Sequence, residues 1–190
     1  MKNEFIEEDR QLINDMTDTI VHSDSCDALK KIPNNFVHLT VTSPPYDDLR
    51  DYKGYNFNDS SLSTIIKELY RVTADGGIVV WVIGDATVKG GETGSSFRQA
   101  LLFMDTGFKL HDTMIYEKNT SPFPARRNGS RYTQIFEYMF VFCKGKIKTS
   151  HLICDKPNKW AGHTNWGKNT NRGKDGELKE TTDIKPVPDY

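Results

Sequence analysis

Cysteine is scarce in this chain: Cys26, Cys143 and Cys154 are the only three in 190 residues, and they form no CxxC pair. This argues against a disulfide-stabilised secreted protein, and a reduced cytoplasm is the expected location. No apolar run approaches the ~20 residues that are needed to span a bilayer. The acidic start, MKNEFIEEDR, lacks the apolar core of a signal peptide. The glycine-rich run 83–94 fits neither GxGxxG nor a P-loop, so it is predicted to be a flexible loop.

Charge is nearly balanced overall, with a formal net charge of −1, but its distribution is uneven. Residues 1–60 carry twelve acidic and six basic side chains, whereas residues 144–174 carry eight basic side chains and one acid, Asp155. A near-neutral protein with one basic end can bind a polyanion locally. The alternative for this segment is a solvated tail.

Hydrophobic periodicity divides the chain into helices and strands. Helices are predicted at 4–17, 27–31, 59–72 and 97–106, and strands at 19–22, 36–41, 77–84, 109–118 and 134–144. The strand 36–41 is apolar at most positions, which is typical of a strand buried on both faces. Strand and helix alternate before the last two strands pair. The predicted class is therefore α/β, with a mostly parallel sheet and an antiparallel edge.

Turn-forming residues mark the predicted element boundaries. Asp75-Gly76-Gly77 is expected to end the third helix, Ser95 or Ser96 to cap the fourth, and Gly107 to terminate it. After Lys148 the hydrophobic periodicity is lost, and the sequence is rich in Asn, Gly, Lys and Trp. The chain therefore divides into a core, 1–148, and a basic, loop-rich segment, 149–190.

The turn Ser43-Pro44-Pro45-Tyr46 directly follows the strand 36–41. Ligands of open α/β sheets bind beyond the carboxyl ends of the strands, where this turn would lie. Neither proline has an N–H, so the backbone offers acceptors, and Ser43 and Tyr46 add a hydroxyl and a flat ring. Acceptors beside an aromatic ring suit a planar base with an exocyclic NH₂. A structural polyproline-like turn, or a proline-rich ligand for a partner domain, is the alternative.

Four stretches in order resemble the β-group of amino-methylating DNA methyltransferases, the permuted class in which the catalytic motif precedes the cofactor glycine loop. TSPPY at 42–46 resembles the catalytic motif of the cytosine-N4 branch, whereas adenine-N6 relatives more often carry an acid, as in DPPY. Residues 20–46, 76–86 and 107–146 resemble the opening strand–Asp–helix–strand unit, the following core strand and the later strands. The resemblance implies a Rossmann-like methyltransferase sheet, S-adenosylmethionine as cofactor and double-stranded DNA with a flipped base as substrate.

The resemblance also implies roles for individual residues. Ser43 and the Pro44 carbonyl would hold the target amine, Pro45 would shape the loop, and Tyr46 would stack on the base. Asp24 matches the acidic residue that lies near the adenosine part of the cofactor, and Ser25 and Cys26 would line the same edge. A turn or a helix cap is the alternative for Ser25 and Cys26.

One motif of the family is missing from the sequence. The cofactor loop, an aromatic residue followed by Gly-x-Gly near the C-terminus, is absent, so the fold is expected to be incomplete at that end. A fragment, a degenerate copy, and an enzyme whose partner chain or further segment supplies the loop all remain open. Weak cofactor binding and little turnover are expected of residues 1–190 alone.

Basic residues of the loop between the last two strands are expected to contact DNA: Lys118, Arg126, Arg127 and Arg131. The segment 149–190, which contains Trp160 and Trp166, is expected to recognise the target or contact DNA, although disorder without DNA is equally consistent with its composition.

Two further groups of side chains have the composition of possible chemical sites. Cys143, His151, Cys154 and His163 are irregularly spaced, and no metal site is expected there. Asp47, Asp48 and Asp51 are interpreted as helix-start and solvated residues, although Asp47 can accept the proton that a methylated amine loses.

The sequence therefore predicts a site-specific DNA methyltransferase that modifies cytosine N4. Adenine-N6 methylation, and a catalytically silent DNA-binding fragment or subunit of the same fold, are the alternatives.

Overall fold

The computed structural model contains a four-stranded mixed sheet with the strand order β1-β2-β6-β5. Its strands are β1 (Val37–Thr42), β2 (Thr73–Ile83), β5 (Lys109–Glu117) and β6 (Phe136–Cys143). β1 pairs with β2 in parallel, whereas β6 pairs antiparallel with both β2 and β5. The structure describes residues 11, 14–45, 59–119, 132, 134–151, 153, 156–162, 170–172 and 174–180.

Among the described residues, the helices with defined bounds at both ends are α1 (Ser25–Lys31), α2 (Asp59–Val72) and α3 (Ser95–Thr106). α1 starts where the Asp24 carboxylate accepts the backbone N–H of Cys26. α3 ends at Gly107, whose φ of 118° lies in the left-handed region that glycine adopts without strain. This termination was predicted from the sequence and is confirmed.

The core lies between α2, α3 and one face of the sheet. Phe103 of α3 is fully buried, stacks on Phe142 with ring centroids 4.2 Å apart, and meets Trp81 edge-on at 5.0 Å. The buried Trp81 indole donates its N–H to Gln99 Oε1 at 2.9 Å, so its one polar atom is satisfied. These contacts bind α3 to both β2 and β6.

The opposite face of the sheet leaves apolar side chains accessible. Leu39 and Val41 of β1 are 61% and 64% exposed, whereas Val79 and Trp81 of β2 are buried. Leu39 and Val41 lie beside Ile78 and Val80, and so point away from the face that α2 and α3 cover. The prediction that this strand is buried on both faces is therefore wrong. β1 is an edge strand, and within the described part of the chain both longer helices pack on one side.

The prediction of a mostly parallel sheet is also wrong for the described residues, because one pair is parallel and two are antiparallel. The predicted strand 19–22 is not formed: Ile20 is 99% exposed, and its segment has no ladder partner among the described residues. Within the described residues, β1 therefore pairs only with β2. The predicted antiparallel pairing of the last two strands, β5 and β6, is confirmed.

A smaller boundary prediction is corrected as well. Asp75-Gly76-Gly77 does not end a helix: α2 stops at Val72, and these three residues belong to β2. The N–H of Gly76 donates to the Lys144 carbonyl at 2.7 Å, so this segment of β2 is hydrogen-bonded to the chain just after β6.

The chain divides into two compact units, residues 1–149 and 150–190. The second unit contains the short antiparallel pair β7 (Thr170–Arg172) and β8 (Leu178–Glu180), with Asn171 opposite Lys179. Among the described residues of both units, no helix has the length and apolar character to cross a membrane.

Candidate active site

The topology brings four of the predicted site residues of the first unit to one edge of the main sheet. β1 and β2 both end there because they are parallel, and Thr42 lies opposite Trp81. β6 starts there and β5 ends there, since Ile83 is opposite Tyr138 and Glu117 is opposite Phe136. We call this the carboxyl edge. Neighbouring strands are about 4.8 Å apart, so the four strand ends span about 15 Å.

The Ser43-Pro44-Pro45 turn lies at the end of β1 on this edge. Pro44 is buried, Pro45 is partly buried, and Ser43 is exposed. The buried pyrrolidine ring anchors the turn, while the prolines fix φ and leave no backbone donor at either position. The Ser43 hydroxyl and the proline carbonyls are therefore presented at the strand tip by a rigid backbone. Tyr46, the predicted stacking residue, lies outside the described residues.

Asp85, two residues beyond the end of β2, was missed by the sequence reasoning. Its Oδ1 accepts the Ser96 backbone N–H at 2.9 Å and the Ser95 hydroxyl at 3.0 Å. Its Oδ2 accepts the Ser96 hydroxyl at 2.5 Å, and Thr93 Oγ1 donates to Oδ1 at 3.3 Å. The N-cap position of α3 is Gly94, which has no side chain to cap with, so Asp85 supplies the capping carboxylate from a distance.

The prediction that Ser95 or Ser96 caps this helix is therefore wrong, because both are buried helical residues that donate to Asp85. A sequence signal could have identified Asp85 as the capping residue. It is an aspartate just after a strand, followed along the chain by a Thr-Gly-Ser-Ser helix start. Burial raises the pKa of Asp85, but the hydrogen bonds from Ser96, Ser95 and Thr93 outweigh it and hold this pKa below its ordinary value.

The run 83–94, predicted to be a flexible loop, contains a two-stranded hairpin. β3 (Thr87–Val88) pairs with β4 (Gly91–Glu92), and the turn residues Lys89 and Gly90 have φ values of 49° and 81°. Two successive positive φ angles are typical of a type I′ turn, whose twist suits a two-residue hairpin. The base of the hairpin is closed by the Thr93 N–H, which donates to the Ala86 carbonyl at 2.9 Å.

Lys118 lies at the end of β5 on the same edge. Its ammonium forms an ion pair with Glu137 of β6, and its backbone N–H donates to the Ile135 carbonyl at 2.7 Å. Glu137 in turn lies beside Gly84, where an added Cβ would come within 3.4 Å of Glu137 Cγ. The predicted DNA-contact role of Lys118 stays a prediction, and the structure shows that this ammonium is held by a carboxylate.

Asp24 is the N-cap of α1, and Ser25 and Cys26 are the first two residues of this helix. Asp24 Oδ1 accepts the N–H of Cys26 at 2.8 Å and the N–H of Asp27 at 3.4 Å, so this residue is a helix cap. Burial and the Asp24 carboxylate raise the pKa of the Cys26 thiol from its ordinary value of 9.0, so the thiol is protonated at neutral pH. Their cofactor role stays a prediction.

Several predicted residues lie outside the part of the chain that the structure describes. They are the loop arginines Arg126, Arg127 and Arg131, the acids Asp47, Asp48 and Asp51, and Cys154, His163 and Trp166. Of the predicted set, the carboxyl edge thus brings together Ser43, Pro44, Pro45 and Lys118.

The low pKa of Asp85 predicts an acid-dependent stability. A carboxyl group whose folded pKa lies below its ordinary 3.8 contributes stability above that pH and loses it as the pH falls through the folded value. Asp85→Asn removes the charged acceptor, so we expect lower stability at pH 7 and a smaller loss between about pH 4 and the folded pKa. Urea denaturation across this range measures both. If the free energy of unfolding changed with pH in the same way for the wild type and Asp85→Asn, the low pKa would not belong to Asp85.

Comparison with known proteins supports one family. The family model described as DNA methylase, of the N6/N4 type, matches residues 37–187. The orphan methyltransferase M.BamHII from Bacillus amyloliquefaciens is 59% identical over 141 residues, which are 74% of this chain and 51% of that protein. This chain therefore spans about half the length of that relative.

Solved structures show the same fold. TTHA0409 from Thermus thermophilus, named as a DNA modification methylase, is 26% identical with a TM-score of 0.51; the match covers 68% of this chain and 54% of that one. The PvuII DNA methyltransferase, named as cytosine-N4-specific, is 21% identical with a TM-score of 0.53, over 66% of this chain and 48% of its own. With its α/β methyltransferase fold and a family match over residues 37–187, the chain belongs to the N6/N4 DNA methylase family.

Proposed function

We propose that this chain is the catalytic part of a site-specific DNA methyltransferase that transfers a methyl group from S-adenosylmethionine to the N4 amine of cytosine. The observation that carries the proposal is the rigid Ser43-Pro44-Pro45 turn at the carboxyl edge, with Ser43 exposed and Pro44 buried. Family membership supports methylation of DNA. Serine, where adenine-directed relatives more often carry aspartate, supports cytosine over the alternative, adenine N6.

The turn acts on the nitrogen of the target amine. The amine of a nucleobase is a poor nucleophile because its lone pair is delocalised into the ring. The Ser43 hydroxyl and the Pro44 carbonyl would accept its two hydrogens, which favours a localised lone pair and stabilises the positive charge that develops on nitrogen. The prolines contribute by withholding N–H donors, which would repel the amino hydrogens.

A base inside a duplex does not reach this turn, so the cytosine must first be flipped out at a cost of a few kcal/mol. Stacking on Tyr46 is expected to offset part of that cost. After the N–C bond forms, the nitrogen carries a surplus proton, and we propose that Asp47 or solvent accepts it. Arg126, Arg127, Arg131 and Lys118 would contact the DNA backbone, and the segment 149–190 would read the target.

The cofactor would lie near Asp24, Ser25 and Cys26. A carboxylate and a hydroxyl are groups that can bind the ribose hydroxyls of an adenosine, so these residues fit the proposal. When bound, S-adenosylmethionine supplies an electrophilic methyl group, whose C–S bond breaks as the N–C bond forms. TTHA0409 was solved in complex with S-adenosyl-L-methionine, which supports this choice. Because the sequence has no aromatic-Gly-x-Gly loop, we propose that a further segment or a partner chain supplies it.

Genomic DNA tests the proposal without knowledge of the recognition sequence. The chain is expressed together with a segment that supplies the missing aromatic-Gly-x-Gly loop, in bacteria that lack their own DNA methylation. The digested nucleosides are analysed by mass spectrometry, with an empty vector as control. N4-methylcytosine is the expected product. N6-methyladenine alone would select the alternative target. No methylated base from a chain that binds DNA would select the silent DNA-binding subunit.

A further inference from the structure

The hairpin of residues 86–93 stands at the carboxyl edge and has no role in the proposed transfer; we call it the arm. It begins three residues beyond the end of β2, and the parallel neighbour of β2, β1, is followed directly by Ser43. Any duplex that delivers a base to Ser43 must therefore pass close to the arm. This placement rests on the proposed function, since it takes DNA to be the substrate.

The base of the arm is fixed. Asp85 joins Thr93, Ser95 and Ser96 through both carboxylate oxygens, and the Ala86 carbonyl accepts the Thr93 N–H. Ser95 and Ser96 are buried in the first turn of α3, so the anchor is tied to the core. The arm is thus held in one position relative to the strand tips.

The tip of the arm, in contrast, projects from the protein. Thr87, Val88, Gly91 and Glu92 are exposed. An added Cβ at Gly90 would find no atom within 4 Å, and one at Gly91 would meet only the Val88 carbonyl oxygen, at 3.8 Å. A short hairpin that buries little surface contributes little to the stability of the fold. Its exposed tip is therefore better explained by a role in binding.

The residue at the tip is a lysine in an unfavourable conformation. Lys89 is exposed and has a φ of 49°, a region in which Asn, Asp and Gly are preferred. The lysine therefore weakens the turn, and a long cationic side chain at the end of a protruding hairpin is suited to reach a phosphate. Backbone strain of this kind is retained where the side chain has a use.

A second cation lies beside the base of the arm. Arg98 of α3 is exposed, and its Nη1 is 3.9 Å from where a Cβ on Gly94 would lie. Its neighbour Phe97 is 50% exposed and packs edge-on against Tyr138 of β6 at 5.0 Å, which places this helix start against the carboxyl edge. Two exposed cations thus accompany the arm, Lys89 at its tip and Arg98 beside its base.

We propose that the arm is a DNA-backbone clamp in which Lys89 and Arg98 each contact a phosphate beside the flipped base, while Asp85 positions the clamp. Each phosphate contact releases condensed counterions. The slope of log K against log salt is therefore expected to fall in magnitude by about 0.9 for each contact that is removed.

Fluorescence anisotropy of a labelled short duplex, titrated with the 190-residue protein over a series of NaCl concentrations, measures this slope. Lys89→Ala and Arg98→Ala should each lower its magnitude by about 1, and the double variant by about 2. Lys109→Ala is the matched control, because Lys109 is exposed at the start of β5, at the opposite edge of the sheet. It should leave the slope unchanged.

Folding and catalysis are followed separately. Circular dichroism and thermal melting should show that Lys89→Ala folds as the wild type does, since the tip contacts little. If the wild type methylates DNA while Lys89→Ala and Arg98→Ala keep its salt slope, the clamp is wrong and the proposed function stands. If the chain complemented with the cofactor loop methylates no DNA but both slopes fall, the proposed function fails and the clamp stands. A wild type without salt-dependent DNA binding overturns the clamp.

Discussion

Ser43→Ala is expected to lower the rate of methyl transfer by about 10²- to 10³-fold, the usual effect of removing one preorganised group that stabilises developing charge. The hydroxyl would accept a hydrogen of the target amine, an interaction that strengthens as nitrogen becomes positive. Its loss should therefore appear in kcat, with little change in the KM for DNA. Ser43 is exposed at the strand tip, so the substitution opens no cavity and stability should be preserved.

Single-turnover methylation of DNA by the chain complemented with the cofactor loop separates this effect from binding and product release. Ser43→Thr is the matched variant, because it keeps a hydroxyl at the same position, and it should retain much more activity than Ser43→Ala. Equal rates for the wild type and Ser43→Ala would show that the hydroxyl takes no part in transfer. A loss that appears only in DNA affinity would assign Ser43 to binding.

The position of the turn was predictable because it depends on local chemistry. An apolar run followed by a serine and two prolines must end a strand, and α/β topology puts that end where ligands bind. The structure places Ser43 and Pro44 at the carboxyl edge, as this reasoning requires. The same holds for Gly107, since a glycine after an amphipathic run is a common helix terminator and its positive φ is observed.

The anchor of the arm was not predictable in the same way. Asp85 binds residues eight to eleven positions later, and which of several nearby hydroxyl-bearing residues caps α3 depends on how the chain folds back. The turn residues Lys89 and Gly90 did not identify the hairpin, because lysine is an uncommon residue at positive φ.

Exposure of β1 depends on what packs against it. The apolar composition of β1, with Leu39 and Val41, is typical of a strand buried on both faces. Composition does not reveal whether both faces are covered, and these two side chains are exposed. The segment 19–22 has strand-forming residues, but a strand requires a hydrogen-bonding neighbour, and none pairs with it among the described residues. Both errors arise from tertiary context that a local pattern does not contain.

Phe103→Ala is expected to destabilise the protein by about 3 to 5 kcal/mol, a large part of the roughly 5 to 15 kcal/mol that holds a typical domain together. Phe103 is fully buried and contacts three other aromatic rings, those of Trp81, Phe108 and Phe142. Its removal would leave a cavity between α3 and the sheet. Because α3 also carries Ser95 and Ser96, a loosened helix would shift the anchor of the arm.

Leu101→Ala is the matched control, since Leu101 lies on the same helix but is 58% exposed. Its substitution changes helix propensity little and should cost less than about 1 kcal/mol. Urea denaturation at neutral pH, followed by tryptophan fluorescence, measures both variants, and Trp81 reports directly on the core. The difference between the two variants isolates the contribution of the buried ring. Similar losses for both substitutions would mean that α3 is not packed through Phe103, and would remove the physical basis for a fixed carboxyl edge.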